Sequence, residues 1–300
     1  MNFIRLGLLL TILVYLIGCT PKGELGTESN PIKMYFVPSM EAGKVVRSGE
    51  AIADLLLKET GYHFEVAVPT SYAAVIEAMG SNEADIAWLA PFAYILANSK
   101  YDAEVALTTV RNGLTRYRGQ FVARSDSNLD SIEDIEGEVI AYTDYASTSG
   151  YIYPSSLLKQ KGIEPNKSFI AGSHPAAIIS VYEGKADVGC SYWSPPKDGV
   201  PQDARKNVKG TIEDVVEKVK IIGYTDWIPN DTVTFRKKFP EQLKTDIVDA
   251  LLSISETEKG QKVLKELYEI DGFIRSTDKK YNIVRKTLKA MNAKASDYID

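Results

Sequence analysis

The run Ser147-Thr148-Ser149-Gly150 lies between a strand-like stretch, 138–143, and a helix-like stretch, 151–160. Three hydroxyls at such a junction can do two kinds of chemistry. They can cap the helix, a common use of Ser and Thr. They can also hold an oxyanion, because a helix N-terminus carries roughly half a positive charge and leaves up to four N–H groups without intrahelical acceptors. A phosphate-like group could then be bound without Lys or Arg, with Gly150 letting the backbone come close. A hydrogen bond to a charged group contributes about 1.5–3 kcal/mol net and micromolar affinity needs about 8 kcal/mol, so roughly five or six donors suffice. These four residues alone leave both readings open. His174, one of only two histidines, stands where another helix starts and is read as ligand-facing, while His63 is read as structural.

The elements that would position these residues alternate, strand then amphipathic helix, which predicts an α/β fold with mixed, mostly parallel sheets covered on both faces. Residues 32–37 form the first strand. Val45, Gly49, Ile52 and Leu56 give the next helix its apolar face, and Gly61 ends it. Strands follow at 63–68 and 85–89, with a helix from Ser71 between them. The segments 71–88 and 174–190 align once a residue is dropped before the second Ala-Asp, which predicts two lobes of similar build with a ligand cleft at the strand carboxyl ends. Crossings between lobes are expected near 113–119 and 224–231. Helices at 239–254, 257–268 and 279–291 complete the first lobe. Asp85 and Asp187 are read as turn residues. Arg116 and Arg118, flanking Tyr117 on a strand, point away from it and are left out of the site.

Arg5, an apolar run 6–17 and Gly18-Cys19 form a lipoprotein leader, too short for the roughly twenty residues of a membrane span, with Cys19 lipidated and residues 19–31 as a tether. Export follows, with the chain anchored to the outer face of a membrane. Cys190 is then the one remaining thiol, so no intrachain disulfide is expected. A net charge of -5 argues against nucleic acid as a partner. Without a histidine pair at helical spacing, Cys-x-x-Cys or Gly-x-Ser-x-Gly, neither a metal site, a cofactor nor catalysis is expected.

Taken together, PTSYAA at 69–74, ADIAW at 84–88, STSG at 147–150, GSH at 172–174 and IPND at 228–231 resemble the phosphonate, phosphite and phosphate-binding components of ABC importers, type II periplasmic binding proteins. The resemblance runs from about residue 32 to the end. It implies lobes at 32–116 with 228–300 and at 117–227, joined by a two-stranded hinge, and a monomer that hands a phosphorus oxyanion to a membrane permease. It implies ligand contacts from Ser147, Thr148, Ser149 and His174, with Tyr72 and Tyr117 closing the cleft. Asp231 would accept a hydrogen bond from a protonated ligand oxygen, or pair with an ammonium. Ser194 stands where relatives that bind aminoalkyl phosphonates place a second acid, and Pro175, Trp193 and Pro195-Pro196 are further departures that would reshape the distal end. A lipoprotein presenting the same anion to a signalling receptor is the alternative.

Overall fold

The computed structural model describes residues 23–292 and 295–298; the leader and Cys19 lie outside them. The first lobe opens with β1 (Ile32–Phe36), α1 (Ala42–Thr60), β2 (Phe64–Ala67), α2 (Tyr72–Gly80), β3 (Ile86–Leu89), α3 (Pro91–Tyr101) and β4 (Glu104–Val110). The chain crosses into β5 (Arg116–Arg124) and β6 (Val139–Tyr142). One π-helical turn (Thr148–Ile152) then runs straight into α4 (Tyr153–Lys161), followed by β7 (Lys167–Ile170), α5 (His174–Tyr182), β8 (Val188–Lys197) and β9 (Val200–Asp203). The short helices α6 (Ala204–Lys209) and α7 (Val215–Lys218) lead to β10 (Val219–Pro229), which carries the chain back to β11 (Thr232–Phe235), α8 (Glu241–Glu256), α9 (Glu258–Tyr268), β12 (Gly272–Arg275) and α10 (Asn282–Ala290).

Two sheets result, ordered β12-β4-β11-β3-β1-β2 and β10-β5-β8-β6-β7, with β9 on β8. They are mixed, as expected, with antiparallel pairings outnumbering the parallel ones. β1 runs parallel to β2 and β3, and β6 to β7 and β8, but β11 is antiparallel to β3 and β4, and β5 to β8 and β10. The reason is the double crossing. β5 and β11 each enter their sheet from the cleft, the edge at which β3, β4 and β8 finish, and so must run against them. The second crossing, expected to be irregular, is the strand β10 itself, whose two register shifts against β5 interrupt the sequence pattern and whose Pro229 sits at its end.

Apolar faces pack as their periodicity predicts. Val45, Gly49, Ile52 and Leu56 of α1 are buried, and Gly61 ends the helix at φ 77°. From Gly23 the supposed tether folds onto the first lobe: Leu25 packs on its core, and His63 N–H donates to the Gly26 carbonyl (2.8 Å).

The internal repeat holds, in a better register than the one with a dropped residue. Ser71 caps α2 by accepting from Ala74 N–H (3.2 Å), and Ser173 caps α5 by accepting from Ala176 N–H (3.3 Å). Asp85 accepts from Lys33 N–H (2.9 Å) and Asp187 from Val139 N–H (3.0 Å), so each ties the end of its repeat to the neighbouring parallel strand, β1 or β6. Caps and aspartates match without a gap, which makes Tyr72 and His174 equivalent: each opens its helix and faces the cleft.

Candidate functional site

The cavity between the lobes is surrounded by helix beginnings. Tyr72 opens α2, Ala90 precedes α3, Ser147 and Ser149 belong to the π turn and its cap, and His174 opens α5; all five line the space. Each start contributes roughly half a positive charge, so four of them favour an anion at the centre, although the N–H groups of Tyr72, Phe92, His174 and Ala176 already have acceptors within the protein. The void is ≈ 50 Å³. One water needs about 10–15 Å³ on this scale, so the space suits a small ligand of a few heavy atoms.

Two glycines let the π turn reach this place. At Gly119 a Cβ would press on the Ser149 carbonyl (2.8 Å), and at Gly150 it would overlap the Thr143 side chain. Thr143 in turn sets the imidazole. Its hydroxyl donates to the Cys190 carbonyl (3.0 Å), so at 3.1 Å from His174 Nδ1 it can only accept. The network therefore assigns the proton to Nδ1 and leaves Nε2 as the ring's acceptor edge for the cavity. Burial, and then the nearby Arg111 charge, lower the His174 pKa to about 3, so the ring is neutral. Burial also holds the Tyr72 and Tyr117 phenols far above their ordinary range, reinforced by Asp144 and then Asp231 at Tyr72 and by Asp231 at Tyr117. Both remain donors at any physiological pH.

Six of the seven residues expected to bind ligand line the cavity: Tyr72, Tyr117, Ser147, Ser149, His174 and Asp231. Ser147 serves both readings of the STSG run, capping the turn by accepting from Gly150 N–H (3.1 Å) while lining the space. Thr148 is different. Its hydroxyl accepts from Phe92 N–H (2.8 Å) at the start of α3, reaching across to the opposite lobe rather than into the cavity.

Asp231 has a partner within the protein. Its Oδ2 accepts from Arg111 Nη2 at 2.6 Å, and Arg111 Nε donates to the Tyr268 carbonyl (2.7 Å). Burial works against the Arg111 charge, but Asp231 outweighs it and raises the guanidinium pKa. The site thus contains a cation that the sequence reading did without. Tyr192, edge-on to the His174 ring, and Tyr268, whose hydroxyl donates to the Val37 carbonyl (2.8 Å), are further walls it missed. Only the position of Arg111 just past a strand at a lobe crossing pointed to it. Ser194 lines the cavity, but Trp193 and Trp227 do not shape it: Trp193 packs on both Tyr224 and Trp227, and the Arg116 and Arg118 guanidinium groups lie over the Trp227 ring (4.5 and 4.7 Å).

With this geometry in place, comparison with known proteins is informative. The sequence profile of a family described as "ABC transporter, phosphonate, periplasmic substrate-binding protein" matches residues 34–281. The chain belongs to this family. Among curated relatives, the phosphate-import protein PhnD of Mycolicibacterium smegmatis is 26% identical over 175 residues, 54% of this chain and 54% of that one. The matched segment thus spans about half the length of that relative. Among solved structures, a binding protein component of an ABC phosphonate transporter from Pseudomonas aeruginosa superposes with TM-score 0.77 at 22% identity, covering 87% of each chain. PhnD1 from Prochlorococcus marinus, in complex with methylphosphonate, does so with TM-score 0.76 at 16% identity, covering 87% of this chain and 98% of that one. These two likenesses establish a shared two-lobed fold. Among the described residues no helix is long and apolar enough to cross a membrane.

Proposed function

We propose that this protein is the extracytoplasmic solute-binding component of an ABC importer, capturing a small phosphorus oxyanion between its lobes and delivering it to a permease. The observation that carries the reading is the convergence of four helix starts on one small cavity. Ser147, Ser149, Tyr72 and Tyr117 are the hydroxyl donors, joined by N–H groups of the π turn. Neutral His174 offers Nε2 to a protonated ligand oxygen, so a phosphorus oxyanion carrying one P–OH is matched at both its acceptor and donor atoms. Sulfate, which has no such proton, leaves Nε2 facing an acceptor. In this reading the protonated ligand oxygen expected to bond Asp231 bonds His174 instead, and Thr148 acts on closure rather than on the ligand.

The lobes are 32–116 with 228–300 and 117–227, hinged where β4 passes to β5 and β10 to β11. Cys19 carries the lipid that keeps the monomeric protein on the outer face of the membrane, and Cys19→Ser should release it into the soluble fraction. Binding is tested by thermal shift of the mature protein against phosphate, phosphite, methylphosphonate and sulfate. A ligand at about a hundred times its Kd adds about 2.7 kcal/mol of stability. A rise in Tm with at least one phosphorus oxyanion and none with sulfate is expected, and a flat response to all three phosphorus compounds would overturn the reading.

A further inference from the structure

The carboxylates at one end of the cavity are all answered from within the protein. Asp231 is bound to Arg111 at 2.6 Å, with their side chains only 25% and 15% exposed. Glu269 pairs with Lys206 of the opposite lobe at 3.0 Å. Arg111 is itself held in place: its backbone exchanges two hydrogen bonds with Leu114 (2.9 Å each), and its Nε is fixed on the Tyr268 carbonyl. Two of its five N–H groups are thereby used, and the guanidinium edge that remains belongs to the cavity wall. Its charge is felt at His174, Tyr117, Tyr192 and Tyr268, residues on every side of the space.

We propose that Arg111 is a specificity-determining residue: by occupying Asp231 it closes the cavity to phosphorus oxyanions that carry a cationic amine and reserves it for those with a small uncharged substituent. The inference rests on the oxyanion reading above and adds the ligand's second group to it. An ammonium reaching this end would find both carboxylates taken and a guanidinium in front of it, where like charges in a partly desolvated space repel strongly. A hydrogen, a hydroxyl or a methyl group carries no such penalty, and the ≈ 50 Å³ of free space favours substituents of that size.

Charge is separated from size by a matched pair of probes. Propylphosphonate and 2-aminoethylphosphonate have substituents of equal length that differ in a terminal methyl against an ammonium. Calorimetric titration of the mature wild-type protein should show propylphosphonate binding at least tenfold tighter. In Arg111→Gln, which frees Asp231, the preference should narrow at least tenfold or invert, and adding Asp231→Asn should abolish that gain. Arg111→Lys, which keeps the charge, should retain the wild-type order and serves as the folding control. Equal wild-type binding of the two probes, or a ratio unmoved in Arg111→Gln, overturns the proposal. So does failure of both probes beside tight methylphosphonate binding, since size would then set the limit. Absence of binding to every phosphonate overturns it too, and the oxyanion reading beneath it falls only if phosphate and phosphite also fail to bind.

Discussion

His174 is the residue at which the site's chemistry is most exposed to test. It is buried, bonded through Nδ1 to Thr143, and its pKa is lowered to about 3 from an ordinary value near 6.5. The unfolded chain therefore holds one more proton than the folded one between these values, and stability rises with pH through that window. Its contribution is complete above about pH 6.5 and is lost as pH falls, by at most about 1.4 kcal/mol per unit. Urea midpoints taken at about pH 7 and about pH 5 should fall more steeply for wild type than for His174→Gln, and equal slopes would return the ring to an ordinary environment. The same substitution replaces the Nε2 acceptor, so affinity for a monoprotonated phosphorus oxyanion should drop at least tenfold in calorimetry. His174 was legible in the sequence because histidine is rare here and a helix start is a distinctive place. Arg111 was not, since its partner Asp231 lies far along the chain and only the crossing of β4 and β11 brings them together.

At the scale of elements, the repeat was legible because its signals are local: a serine cap, an apolar helix face, and an Ala-Asp before the strand. The π turn was not. Its wide first turn depends on Thr148 reaching Phe92 and on the room left by Gly119 and Gly150, contacts that no short window of sequence contains. This dependence predicts a specific weakness. In Gly150→Ala the new methyl group would overlap Thr143, which orients the imidazole and accepts no displacement without losing Cys190 or His174. Overpacking of this kind costs about 1–3 kcal/mol. Urea unfolding should show a loss in that range together with weakened anion binding, whereas Gly137→Ala, at a turn with open space around it, should cost stability through its φ of 77° while leaving binding intact. Equal binding losses in the two variants would deny the π turn its special part.

For the whole molecule, the described state is closed. Polar contacts join the lobes: Phe92 N–H to Thr148, His174 N–H to the Ser39 carbonyl (3.2 Å), Tyr72 N–H to Asp144 (3.4 Å), Lys159 Nζ to the Met291 carbonyl (2.7 Å) and Lys206 to Glu269. One apolar cluster runs through both lobes, joining Tyr72 and Phe92 to Tyr117, Ile152 and Ile228. The two-lobed architecture was legible from alternating elements and the repeat; closure was not, because it depends on pairs that meet only when the lobes do. Thr148 tests it best, being wholly buried and turned toward α3 rather than the ligand. Thr148→Val keeps the shape but leaves the Phe92 N–H without its acceptor in the closed form alone, whereas in the open form water can supply one. An unsatisfied buried donor costs about 1–3 kcal/mol, and this cost falls on the closed state, shifting the equilibrium toward open by roughly 5- to 150-fold. Affinity should weaken by the same factor through faster release, and the radius of gyration of the ligand-free protein from solution scattering should increase. Ser149→Ala, which removes a group lining the cavity, should weaken binding without enlarging the ligand-free protein. If Thr148→Val behaves in scattering as Ser149→Ala does, the hydroxyl belongs to the ligand after all and the latch does not exist.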